Sequence, residues 1–103
     1  MSRIASQKTS RLELTNGEWL EYRDSLSYSE LEPIITALDS KNEAANAKMA
    51  IPLLEIALTG WSLKDDSGAD VPFKKESIKL LDSSTVIESF ATIIGKYFSS
   101  KKN

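Results

Sequence analysis

Arg11-Leu12-Glu13-Leu14-Thr15-Asn16-Gly17-Glu18-Trp19-Leu20-Glu21-Tyr22-Arg23 decides how this chain begins to fold. Apolar and polar residues alternate on both sides of Asn16-Gly17, the pattern of two strands joined by a tight turn. A two-residue loop would pair Leu12 with Glu21 and put Glu13 beside Leu20, mixing the faces. A three-residue loop of Thr15, Asn16 and Gly17, with Gly17 left-handed, gathers Leu12, Leu14, Leu20 and Tyr22 on one face. It also sets Arg11 opposite Glu21 on the other face. A slip of one residue exchanges the faces, so the bulged register is expected over residues 11–23. Two strands alone are marginal in water, and their apolar face needs helices to cover it.

Those helices are readable downstream. Ser27-Tyr28-Ser29-Glu30 has the spacing of a capping box, with Leu31, Ile34, Ile35 and Leu38 following at helical period. Pro33 falls close to the helix start, where a missing amide costs less, and Asp39-Ser40-Lys41-Asn42 marks the end. A second helix is expected from about Glu43 to Trp61. It carries one stripe of Ala47, Ala50, Ile51, Leu54, Leu58 and Trp61, and another of Met49, Leu53 and Ile56. A helix apolar on most sides is a central, surrounded one. Pro52 predicts a kink, or two helices meeting there, and Gly60 a loosened last turn. A short helix over Lys74–Leu81 follows, then a start signal at Asp82-Ser83-Ser84 and a last helix to about Phe98. Its stripe is Val86, Ile87, Phe90, Ile93, Ile94 and Tyr97. The expected fold is mainly α (α+β): an N-terminal hairpin packed on a bundle of about four helices. It forms one domain over 11–98, with a flexible arm at 1–10 and a flexible tail at 99–103.

The 103 residues, 41% apolar and 27% charged, suit one small globular domain. Arg3, Lys8 and Arg11 precede the first acid, and Lys96, Lys101 and Lys102 follow the last, so the middle is acidic. A net charge of −2 argues against a general nucleic-acid binder. No cysteine and no histidine occur, which excludes disulfides, thiol nucleophiles and the usual zinc sets. It also removes the commonest proton-transfer side chain. The absence of cysteine fits a reducing cytoplasm. The polar N-terminus lacks a signal-peptide core, and the apolar stretch Met49–Leu63 is too short for a bilayer and contains Glu55. These features point to a soluble intracellular protein.

Trp61-Ser62-Leu63-Lys64-Asp65-Asp66-Ser67-Gly68-Ala69-Asp70-Val71-Pro72-Phe73 is an acidic turn between two aromatic anchors. As a calcium loop it fails. Counting from Asp65 puts Glu76 at the twelfth place, but Ser67 and Ala69 fill the third and fifth, and Asp70 occupies the glycine position. A solvated turn with Gly68 at positive φ accounts for it. Glu55 inside an apolar helix reads as a rim position facing water, against a buried paired acid or a partner contact. Neither a phosphate loop, a nucleophile elbow nor metal-ligand spacing is present, so no catalytic, metal or cofactor residue is expected. Trp19 falls on the hairpin's outer face, either wrapped by the N-terminal arm or docking a partner.

The order of hairpin, Leu26-Ser27-Tyr28-Ser29-Glu30 helix start, apolar helix, Trp61-to-Phe73 segment with Val71-Pro72, and closing helix resembles the tail assembly chaperones of long-tailed phages. The likeness covers about residues 11–95. Pro33 and Pro52 depart from the pattern. The resemblance implies a non-enzymatic protein of the host cytoplasm, absent from the mature virion, that binds the tape measure protein and delivers tail tube subunits to it. It also implies a longer frameshifted form, for which Lys101-Lys102-Asn103 could be encoded by an adenine-rich slippery run. A holdase needs exposed apolar surface rimmed by charge, and Trp19, Met49, Leu53, Ile56, Trp61, Phe73 and Phe98 are the candidate partner contacts. Weak contacts repeated along a long partner favour a homo-oligomer. The rival readings are a small virion component such as a tail terminator, and a small nucleic-acid-binding regulator using the basic ends.

Overall fold

A computed structural model describes residues 4–38 and 47–99. The expected helix end at Asp39–Asn42, the helix start at Glu43 and the terminal Lys101-Lys102-Asn103 lie outside the described residues. Strand β1 (Thr9–Glu13) and strand β2 (Trp19–Arg23) pair antiparallel, with Arg11 opposite Glu21 and Leu12 opposite Leu20. This is the bulged register. Asn16 and Gly17 take φ of 63° and 77°, and the Leu14 amide donates to the Glu18 carbonyl at 2.8 Å across the turn. The left-handed turn therefore uses both Asn16 and Gly17, the two residue types that tolerate it best.

Pairing begins at Thr9, two residues before the expected boundary. The preceding arm is bonded: the Ser6 amide donates to Ser25 Oγ at 2.9 Å, and the Asp24 amide to the Lys8 carbonyl at 2.8 Å. Helix α1 (Tyr28–Ala37) opens with the expected capping box. Glu30 N donates to Ser27 Oγ at 3.2 Å, and Ser27 N donates to Glu30 Oε1 at 2.9 Å. Pro33 is accommodated inside α1 on its exposed side. The helix stops at Ala37, because Leu38 is already extended.

The second helix departs most from expectation. Ala47 is helical, Lys48 and Met49 form a turn, and helix α2 (Ala50–Ala57) begins anew. Pro52 is its third residue, where the amide would have no intrahelical partner, so it serves a helix start and kinks nothing. The kink expected at Pro52 is not observed; the break among the described residues lies at Lys48-Met49, before α2 begins. Leu58–Trp61, expected as the helix end, is instead strand β3. It pairs with β2, with Leu20 opposite Trp61 and Tyr22 opposite Leu58. Two causes act together: Thr59 and Gly60 are weak helix formers, and the free edge of β2 offers a row of unpaired backbone groups. A register shift leaves Thr59 as the extra residue of a bulge, its hydroxyl donating to Glu21 Oε1 at 3.0 Å.

The sheet order is thus β1-β2-β3. The segment expected as a short helix is a 3-10 helix, Lys75–Leu80, and helix α3 runs Ser83–Ser99. Every residue of α2 is buried or half-buried, with α1, α3 and the 3-10 helix around it, as its double stripe required. Glu55 is half-buried there, its carbonyl taken by Lys75 Nζ. The core joins Leu20 and Tyr22 of the hairpin to Ile34, Leu53, Leu54, Leu58, Ile78, Phe90 and Ile93. Ile87, expected on the α3 stripe, is exposed, and Ser89 is buried instead. Along α3, one residue is a turn of about 100°, which carries Ile87 off the line through Val86, Phe90 and Ile93.

Candidate interaction surface

The stretch between the two aromatic anchors folds as a second, smaller hairpin. Lys64 and Asp70 form an isolated bridge, Val71 N donates to Leu63 O at 2.9 Å, and Gly68 turns the chain at φ 88°. Asp65 organises the tip. Its Oδ1 accepts from Ser67 Oγ at 2.6 Å, Ser67 N at 2.9 Å and Ala69 N at 3.0 Å. Those bonds, led by the Ser67 hydroxyl, hold its carboxyl below the ordinary value. Asp65 Oδ1 thus spends its acceptor capacity on its own loop. At the root, Trp61 Nε1 donates to the Val71 carbonyl at 2.8 Å, and the Trp61 and Phe73 rings meet edge to face at 5.0 Å.

This small hairpin forms one wall of a groove. Trp61, Leu63 and Val71 face Leu80 and Leu81 across a space of about 400 Å³, with Lys64, Asp66 and Asp82 also lining it. Leu80 is 83% exposed at its edge. A 3-10 turn of three residues stacks Ile78 above Leu81, so Ile78 is fully buried and Leu80 is left facing out. Two further hollows have mixed linings: one of about 560 Å³ between Glu13, Leu14 and the start of α3, and one of about 220 Å³ beside Leu26, Leu31 and Tyr97.

The expected contact residues are scattered. Leu53 is wholly buried, which corrects its assignment as a free contact; Trp61, at 9% exposure, is a core residue that also lines the groove. Met49, Ile56 and Phe73 are half-buried. Phe98 is 40% exposed near the end of α3. Trp19 is half-buried, and the Arg11 guanidinium sits 3.8 Å over its ring. Of the expected residues, only Trp61 lines the groove, with Phe73 against its ring. Leu80 escaped the sequence reading because Leu80-Leu81 carries no periodicity to say which leucine turns inward.

Three of the acids, Asp65, Asp82 and Glu30, act as structural acceptors. Asp82 caps α3, accepting from Thr85 Oγ1 at 2.8 Å and from Ser84, and the Thr85 hydroxyl chiefly keeps its carboxyl ionised to lower pH. Glu30 is lowered first by the Ser27 amide and then by Arg23, whose Nη1 lies 2.7 Å from Glu30 Oε2. Lowered carboxyls remain charged at neutral pH, the opposite of what a general acid requires. Among the described residues no group of three potential ligands could hold a metal ion, and no helix is long and apolar enough to cross a membrane. Comparison with family models, curated proteins and solved structures finds no match for this chain.

Proposed function

We propose that this protein is a non-enzymatic assembly chaperone that holds an apolar stretch of a longer polypeptide, as the tail assembly chaperones it resembles do for the tape measure protein. The observation that carries this reading is Leu80, a large apolar side chain left almost fully in water beside the groove of Trp61, Leu63, Val71 and Leu81. Exposed apolar surface rimmed by charge is the feature of a protein-binding site, since it leaves water only when a partner covers it. The chain's lack of histidine and cysteine, and the use of its acids as caps and turn acceptors, support a role without reactive chemistry. In this proposal the protein acts in the host cytoplasm, takes up tape measure protein and tail tube subunits, and leaves before the virion is complete.

Co-expression with a candidate tape measure protein tests it. The account expects soluble tape measure to rise with the wild-type chain and not with Leu80→Asp, whose melting temperature should match the wild type because Leu80 is exposed. Tape measure that stays insoluble beside wild-type protein, or equal rescue by Leu80→Asp, contradicts the proposal. Retention of the protein in purified particles would instead favour a structural tail component.

A further inference from the structure

The sheet has an open side. In the order β1-β2-β3 no described strand lies beyond β1, and β1 packs extensively only against β2. The bonds from Asp24 N to Lys8 O and from Leu14 N to Glu18 O fix the phase of the ladder. Positions 8, 10, 12 and 14 therefore direct their amides and carbonyls at β2, and Thr9, Arg11 and Glu13 direct theirs outward. Leu12 lies between the last two and is only half-buried, although it packs against the core. Among the described residues, neither Arg11 nor Glu13 has an ion-pair partner.

We infer that β1 pairs antiparallel with β1 of a second copy of this chain, about a two-fold axis at Leu12. In that register the outward-facing groups of Arg11 meet those of Glu13 of the second copy, and the reverse pair forms by symmetry. Each guanidinium then faces a carboxylate, and the two Leu12 side chains meet on the core side. The neighbouring register, centred on Arg11, sets Arg11 against Arg11 and is disfavoured by like charges directly opposite. Charged side chains on an edge strand ordinarily discourage pairing. Opposite charges two residues apart are self-complementary when the strand is reversed. The contact is isologous, so it closes at two copies and yields a six-stranded sheet. Arg11 lies 3.8 Å over the Trp19 ring, and a guanidinium stacked on an aromatic face keeps its edge donors for a carboxylate.

Sedimentation equilibrium on the full chain over a range of concentrations tests this, with amide exchange as the second readout. A reversible monomer–dimer equilibrium is expected, with the Arg11 and Glu13 amides gaining protection as concentration rises. Arg11→Glu and Glu13→Arg should each weaken the dimer by about tenfold or more, and the doubly reversed chain should regain it. A monomer at every concentration, or a dimer indifferent to both reversals, overturns the proposal. So does protection elsewhere than at β1. The amide readout in the wild-type chain stands even if a variant folds poorly. The edge and the groove lie on different segments, so this test and the tape measure test fail independently.

Discussion

β1 and β3 flank the same central strand but are held by different forces. β1 is separated from β2 by only Leu14 to Glu18, docks through a left-handed turn, and buries none of its side chains fully. β3 enters from the far end of a surrounded helix, and sets Leu58 and Trp61 into the core at 1% and 9% exposure. Turn chemistry and backbone bonds fix the first, and removal of apolar surface from water fixes the second. The difference teaches that one sheet can have a rigid edge and an available one. The available edge is where a second copy can add, and the rigid edge leads directly into the groove at Trp61.

The largest break in this contrast is expected from Leu58→Ala. Deleting a fully buried leucine should cost about 2–5 kcal/mol, with the lower values only if the site collapses. Denaturant titration reads this directly. Leu12→Ala, on the core-facing side of β1, should cost about 1–2 kcal/mol, because that side chain is only half-buried. Equal losses at the two positions would erase the distinction. Tyr97→Phe should have the smallest effect, about 0.5–1.5 kcal/mol, by removing the 2.8 Å bond from its hydroxyl to the Arg23 carbonyl at the end of β2.

That tyrosine also gives the contrast a pH signature. Burial raises its hydroxyl above the ordinary value. The folded chain therefore keeps a proton that the unfolded chain releases near pH about 10. Its contribution is complete below that pH and is lost as pH climbs beyond it. Thermal melts should fall along this alkaline limb, and Tyr97→Phe should flatten it. Lys64, raised chiefly by its hydrogen bond to Asp70, contributes in the same direction but is fully exposed and screened. An alkaline limb unchanged by Tyr97→Phe would show that the buried hydroxyl is not its cause.

The hairpin register, the Ser27–Glu30 box, the Asp82 start and the positive φ of Gly68 were legible because each is decided within a few residues by turn or cap chemistry. β3 was not. Leu54, Leu58 and Trp61 continue a helical stripe on paper, and only the unpaired edge of β2, far off in sequence, turns Leu58–Trp61 into a strand. Pro52 was visible as a disturbance, yet its role as an early helical residue depended on the turn at Lys48-Met49. Site residues suffered most: Leu53 and Trp61 were apolar enough to be contacts and became core, and Arg11 covered Trp19. Leu80 became prominent only once the 3-10 geometry had buried Ile78.

The central claim is that the groove between Trp61 and Leu80 receives an apolar polypeptide. The chain has two tryptophans, so Trp19→Phe leaves Trp61 as the single reporter at the groove wall while keeping a ring beneath Arg11. Its fluorescence can be followed during titration with an amphipathic apolar peptide taken from a tape measure protein. The account predicts a saturable change in Trp61 emission that Leu80→Asp abolishes. A spectrum that does not respond, or one that responds identically with aspartate at position 80, would contradict it.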